Sequence, residues 1–379
     1  MKVVIACDSY KGCMSSREVA DNIEQGIHMA KQDIETISYV IGDGGEGSVE
    51  AFHETCNGVK QSVATSDAYG RKITTEYTLI EDKSTAVIEV ANIIGLNMVE
   101  REKRMPFFGS SFGVGTVILD AVNKGCKKII IGLGGSGTND GGMGLLQSLG
   151  CRFYDSNHKY LSPQAVNLEK IRYIDFNRMN YLEGIELIAA CDVKNHLLGE
   201  EGATHVFGKQ KGFFPNQIRK VEQGMENFRN QILRYTQIDI DQFDGSGAAG
   251  GIGAVLIGIL KATMIPGIEL LMSYSDMEDA IAACDLVITG EGQSDRQTMF
   301  GKVPAGIIKV ANRYEKPTIC ISGALGIGYM ELFELGFVGI YSIADRAMTF
   351  QQALENAPEK LSTATYSIMK TICYFGKFE

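Results

Sequence analysis

Three loops of this 379-residue chain set acidic residues among glycines: Asp43-Gly44-Gly45-Glu46-Gly47, Thr138-Asn139-Asp140-Gly141-Gly142 and Thr289-Gly290-Glu291-Gly292-Gln293-Ser294-Asp295. Glycine lets a backbone N–H approach an anionic oxygen with no Cβ in the way. Carboxylates hold Mg²⁺, which prefers hard oxygen ligands, and they orient an attacking hydroxyl. Those are the two things phosphoryl transfer asks of a protein. One Asp-Gly pair is an ordinary turn. Three such loops, each following a strand-like run where open α/β sheets take their ligands, point to a site.

Competing patterns are weaker. Three segments match G-x-G-x-x-G, at Gly42-Gly44-Gly47, Gly132-Gly134-Gly137 and Gly245-Gly247-Gly250. The second follows the strand-like 128–131, with Asp155 downstream where a dinucleotide site wants a ribose-binding acid. An NAD-dependent oxidoreductase of a small hydroxy acid is therefore the alternative reading. Glycine is so frequent, 44 of 379 residues, that roughly 0.6 such matches arise by chance. The second match also runs into Thr138-Asn139-Asp140-Gly141-Gly142 instead of an apolar helix. A Walker A motif is absent, as are the H-R-D and D-F-G signatures of protein kinases. Gly109-Ser110-Ser111-Phe112-Gly113 fits the hydrolase pattern G-x-S-x-G, but charged residues and Pro106 lead into it where a nucleophile elbow needs a buried strand. It reads as a loop capping the next helix. The five histidines have no metal-ligand spacing.

The elements that position these loops follow from periodicity. Residues 3–6 form a short apolar strand, a polar loop follows, and Ser15 with Glu18 makes a capping box for a helix with Val19, Ala20, Ile23 and Ile27 on one face. A second strand at 37–41 leads to a helix from Val49, giving a βαβα start and a parallel sheet. The chain from about 285 has the same rhythm: strands at 286–289, 318–322 and 339–343, a helix over 305–314, and a final helical stretch interrupted by Pro358. The middle differs, with antiparallel strands at 73–79 and 86–91, a buried strand at 128–131, and helices at 213–234 and 252–263. The expected architecture is an α/β fold: a Rossmann-like parallel-sheet domain over 1–65 and 285–379, with a second α/β domain, 66–284, inserted in it.

Composition bounds the partners. Net charge is -10 and no Lys/Arg run supplies the basic face that nucleic acid needs. Nine scattered cysteines without a C-x-x-C pair fit neither a disulfide framework nor a zinc site. No signal-like segment precedes the first strand, and the longest apolar run, 247–260, is too short and glycine-rich to span a membrane. The cytoplasm is the expected location, with no nucleic acid or membrane partner.

The chain resembles the bacterial type-I glycerate kinases along nearly its whole length. The matching segments, in order, are Asp8-Ser9-Tyr10-Lys11, Asp43-Gly44-Gly45-Glu46-Gly47, Asp67-Ala68-Tyr69-Gly70-Arg71, residues 134–142, Ala190-Cys191-Asp192-Val193, residues 207–212, residues 247–251, and Thr289-Gly290-Glu291-Gly292 running through Asp295, Thr298, Gly301 and Lys302. Cys7 and Gly137 replace a usual proline and alanine, and His196 and Lys209 stand where prolines are common. The resemblance implies one domain inserted in the other with the active site in the cleft between them, ATP and Mg²⁺ as cosubstrates, and D-glycerate as acceptor. The expected product is 2-phosphoglycerate, ahead of 3-phosphoglycerate. A homodimer is left open.

Chemistry and placement distribute the roles. Asp192 ends the apolar run 188–191 and is expected nearest the acceptor hydroxyl, with Lys11 and Asp43 as further catalytic candidates. Arg71 suits a bidentate hold on the glycerate carboxylate, with Glu46 and Asp8 beside it as substrate-binding residues. Gly134, Gly135, Ser136, Asn139, Gly141, Gly290, Glu291 and Lys302 are the nucleotide-binding candidates, Lys302 toward the β- and γ-phosphates. Asp140 and Asp295 are the metal-ligand candidates.

Overall fold

A computed structural model describes residues 1–42, 47–81, 83–179 and 182–375, with the backbone alone of Phe300. Asp43 and Glu46 lie outside the described residues. The strands, in chain order, are β1 (Lys2–Cys7), β2 (Glu35–Val40), β3 (Val59–Ser66), β4 (Lys72–Ile80), β5 (Thr85–Glu89), β6 (Lys128–Gly132), β7 (Arg152–Tyr154), β8 (Tyr173–Asp175), β9 (Glu186–Ala190), β10 (Thr263–Ile265), β11 (Leu286–Gly290), β12 (Gln293–Ser294), β13 (Thr318–Ser322), β14 (Ala324–Leu325) and β15 (Gly339–Ser342).

The chain divides into two compact units. The first comprises Met1–Asp43, Glu54–Cys56 and Ile268–Glu379. Its sheet is parallel throughout, in the order β15-β13-β11-β1-β2. The near-continuous apolar runs of β1, β11 and β13 suit strands covered on both faces. Alternate residues serve opposite faces. Val3, Ile5, Cys7, Leu286, Ile288, Ile319 and Ile321 share a core with Val19, Ile23 and Ile27 of the helix Ser16–Ala30 and with Leu361 and Met369 of the helix Ala357–Phe375. Cys320, out of phase with them, packs instead with Ile308 of the helix Val303–Arg313, Leu332 and Phe337. The crossovers from β1 to β2 and from β11 to β13 therefore lie on opposite faces, and the strand order reverses direction between β1 and β11. Ligands of open α/β sheets bind beyond the strands' carboxyl ends at such a switch point.

The second unit is Gly44–His53 and Asn57–Gly267. Its sheet runs β10-β9-β6-β5-β4-β3, parallel from β10 to β5 and antiparallel across β5-β4-β3. One large core, with Ile88, Ile118, Ile129, Leu146, Phe153 and Phe228 fully buried, covers it.

The boundaries set from sequence, 65/66 and 284/285, fall inside these units. β3 pairs along its whole length with β4, so residues 59–66 join the second sheet. Residues 268–284 form the short helices Gly267–Ser273 and Met277–Ala282, and Tyr39 donates its hydroxyl to Asp276 Oδ1 at 2.8 Å. The apolar helix expected at 252–263 runs over Ala248–Gly258, and its last residue is already in β10. The final helical stretch breaks at Asn356, and Pro358 sits in the first turn of the helix that follows, where a missing N–H leaves no bond unmade. The Ser15 and Glu18 capping box forms with both reciprocal bonds. All nine cysteines are free thiols. No described helix is long and apolar enough to cross a membrane.

Candidate functional site

In the first unit, loops at the carboxyl ends of β1 and β11 meet. Asp8 N–H donates to Gly290 O at 2.9 Å, and Gly292 packs against the backbone of Tyr10 and Lys11. Tyr10, almost fully buried, donates its hydroxyl to Ile321 O at 2.8 Å and so ties this loop to β13 as well. Asp8 is buried and accepts the Ser9 N–H at 2.7 Å. Lys11 is exposed one residue before the left-handed turn at Gly12.

Glu291 is the fixed point of this end of the sheet. It is 4% exposed, and an isolated carboxylate there would be costly. Its Oε1 accepts the hydroxyls of Ser294 at 3.0 Å and Thr298 at 2.5 Å, and its Oε2 accepts Lys302 Nζ at 3.0 Å. Lys302 Nζ also lies 4.0 Å from Asp295 Oδ1. Asp295 caps the turn Arg296–Phe300, taking the Gln297 N–H at 2.8 Å, and stays partly open to solvent. The structure thus brings together Asp8, Lys11, Gly290, Glu291, Asp295 and Lys302, all of them candidates from the sequence. Asp295 and Lys302 keep exposed surface, whereas Glu291 is spent on holding Lys302 and the loop.

In the second unit the segment 134–142 leaves β6. Asp140 is fully buried, and its carboxylate accepts four bonds: Ser111 N and Oγ at 2.7 and 2.8 Å, Gly144 N at 3.1 Å and Gly142 N at 3.3 Å. Burial raises its pKa above the ordinary carboxylate value against the pull of those donors. Asp140 was a metal candidate; here its oxygens staple two loops. The same bonds bear on the dinucleotide pattern. The N–H groups of Gly142 and Gly144, which a pyrophosphate would need at the short helix Met143–Ser148, are taken by Asp140. Ser111, in the G-x-S-x-G pattern, spends its hydroxyl on Asp140 and on Leu145 N–H. It precedes the helix Phe112–Asn123 without a side-chain cap to it.

The glycines of this loop are explained by protein contacts. A Cβ on Gly135 would lie 2.9 Å from Ala91 Cβ, and one on Gly141 2.8 Å from the Phe228 ring. Gly134 is half-buried and Gly135 exposed, so the surface of the loop is here. Ser136 and Asn139 point to buried neighbours. Asn139 Nδ2 donates to Thr204 Oγ1 at 3.1 Å, while Asn139 Oδ1 and Thr138 Oγ1 are buried with no hydrogen-bond partner.

Two residues given no role from sequence stand out. Lys211, the last residue of the helix Ala203–Lys211, is 2% exposed and donates to Thr138 O at 2.6 Å and Ser136 Oγ at 3.1 Å. Burial pulls its pKa down to about 7, with the field of Asp140 a smaller opposing influence. In sequence it is a lysine ahead of a C-capping glycine, the usual place for a solvated cation, and nothing local reveals that the helix end is buried. Glu89, 2% exposed at the end of β5, accepts the N–H groups of Gly47 at 3.1 Å and Val49 at 3.2 Å at the start of the helix Ser48–Thr55. Its only sequence signal is a carboxylate ending an apolar strand.

Arg71 donates Nε to Asp67 Oδ2 at 2.5 Å, and its side chain is 62% exposed. The turn carrying it is joined to the Asp140 staple, because Ala68 O accepts the Ser110 N–H at 2.9 Å. Asp192 follows β9, and its Oδ1 accepts the Gly267 N–H at 3.0 Å. The second unit therefore gathers Ser136, Asn139, Asp140 and Gly141 about Lys211, with Arg71 on the adjoining turn.

Comparison with known proteins places this architecture. The family model described as the glycerate kinase family matches residues 3–373. A glycerate kinase of Halalkalibacterium halodurans is 36% identical over 367 residues, covering 97% of each chain. A glycerate 2-kinase of Escherichia coli is 36% identical over 373 residues, covering 98% of each. A crystal structure of a provisionally named glycerate kinase 2 from Salmonella typhimurium superposes with a TM-score of 0.82 at 36% identity, covering 100% of both chains.

Proposed function

The chain belongs to the glycerate kinase family, and on that premise we propose that it transfers the γ-phosphate of Mg-ATP to D-glycerate, forming 2-phosphoglycerate. The observation that carries this reading is the gathering of Asp8, Lys11, Glu291, Asp295 and Lys302 where strand order reverses between β1 and β11. The name of the Escherichia coli relative supports the 2-hydroxyl over the 3-hydroxyl.

The residues fit the groups that the reaction needs. Among the described residues no three His, Cys, Asp or Glu side chains are grouped to hold a metal. Mg²⁺ keeps several waters and binds through one or two carboxylates plus substrate phosphates. Asp295, partly open beside Lys302, is the carboxylate that would take it. Bound there, the ion would supply charge neutralisation for the phosphates during transfer. Lys302 and Lys11 supply cations for the phosphates, and Glu291 holds Lys302 in place from beneath. Asp192, fixed by Gly267 N–H, orients the acceptor hydroxyl, and Arg71 holds the glycerate carboxylate.

ADP release tests the reading. It should require D-glycerate and stop when EDTA removes the magnesium. ADP release that ignores glycerate would leave an ATPase, and none under any condition would refute the transferase assignment.

A further inference from the structure

Lys211 offers three N–H donors and spends two of them on one loop, at Ser136 Oγ and Thr138 O. Because Lys211 donates to Ser136 Oγ, the hydroxyl hydrogen of Ser136 must point away from the ammonium. Among the described residues Ser136 Oγ donates no hydrogen bond of its own. Ser136 follows Gly134 and Gly135, where the loop meets solvent. The loop is immobilised from three sides. Gly137 N–H donates to Ile94 O at 2.7 Å, Gly141 N–H to Gly250 O at 3.0 Å, and Asp140 is held by its four donors.

The space beneath the loop is kept for the lysine. Gly250 has φ +67°, and a Cβ there would lie 2.1 Å from Thr138 O and 2.9 Å from Lys211 Nζ. Its neighbours Ala249 and Gly251 are also left-handed, with φ of 52° and 96°. A chain that needed only a filled core could have used an apolar side chain here. A buried ammonium is costly unless its bonds serve a purpose.

We propose that Lys211 is a positioning residue that turns the Ser136 hydroxyl outward as a hydrogen-bond donor to an anionic oxygen of a bound substrate, a phosphate or a carboxylate. This rests on the glycerate kinase reading for the identity of the substrates and deepens it, since it names the device behind the loop. Lys211 acts through Ser136 and touches no substrate itself.

The test compares the wild type with Lys211→Met, Ser136→Ala and the double variant, with fold checked by circular dichroism. The Kd of ATP and the Kd of D-glycerate are measured separately by titration calorimetry, alongside KM and kcat. Loss of one hydrogen bond to a charged group should weaken one ligand about tenfold or more, with kcat held within about threefold. The double variant should be no weaker than Ser136→Ala alone. A loss confined to ATP places a phosphate oxygen at Ser136, and a loss confined to glycerate places its carboxylate there. Unchanged binding of both ligands in Ser136→Ala overturns the proposal, as does a Lys211→Met effect that persists undiminished without the Ser136 hydroxyl. Should Lys211→Met fail to fold, Ser136→Ala decides the matter by itself. Wild-type protein that binds these ligands without turnover would instead count against the kinase reading, because the calorimetric arms do not depend on it.

Discussion

At the scale of single residues, the structure separates carboxylates that are spent from those that are open. Asp140 accepts four bonds in full burial, so Asp140→Ala should cost roughly 3 kcal/mol or more of stability in urea denaturation. A metal ligand would behave differently, losing magnesium affinity with stability intact. Asp192 Oδ1 takes the Gly267 N–H at 3.0 Å, and Asp192→Asn keeps its shape. Steady-state kinetics should show kcat falling far more than KM for ATP rises; unchanged turnover would remove Asp192 from the chemistry. Lys211 titrates with an unusual sign. With its folded pKa near 7 and its unfolded pKa in the ordinary lysine range, the unfolded chain binds the extra proton between those values. Stability from this residue therefore rises as pH climbs from about 7, and below that the cost of burying the charge is present in full. Denaturation of wild type and Lys211→Met at pH 6.5 and pH 9 should show the relative advantage of the methionine shrinking at the higher pH. An advantage independent of pH would mean that the ammonium is not held down.

At the scale of elements, periodicity revealed strands and helices wherever the local pattern and the tertiary environment agree. The runs at 3–6, 286–289 and 318–322 are buried strands, and the capping box at Ser15 opens its helix. β3 was missed because its exposed, polar alternation becomes a strand only through pairing with β4. The apolar helix expected at 252–263 is found over Ala248–Gly258, whose Ala249, Gly250 and Gly251 leave the helical region just ahead of the expected start. Composition could not show this, since the reason lies across space at Thr138 and Lys211. Gly250→Ala tests that reason directly. It should destabilise by roughly 2 kcal/mol or more, because left-handed strain adds to contact with Thr138 O. A neutral substitution by thermal denaturation would show that the loop yields easily. Glu89 and Lys211 escaped for the same cause as Gly250: their roles come from burial by distant segments, and sequence spacing carries no record of that.

At the scale of the whole molecule, the loop 289–295 stood out in the sequence as the place where a strand ends, and the first sheet shows why. Asp8, Glu291 and Asp295 lie beyond the carboxyl ends of parallel strands at a reversal of strand order. The division of the chain was less legible, since both ends of the inserted unit are set by strand pairing and helix docking, not by a composition change. The most direct test of the account is phosphorus NMR of the protein with Mg-ATP and D-glycerate, beside a control without glycerate. The account predicts a new phosphate-ester signal split into a doublet by the single hydrogen on the second carbon. A triplet would move the phosphate to the 3-hydroxyl and contradict the proposed product, and no ester signal with ATP intact would contradict the kinase assignment itself.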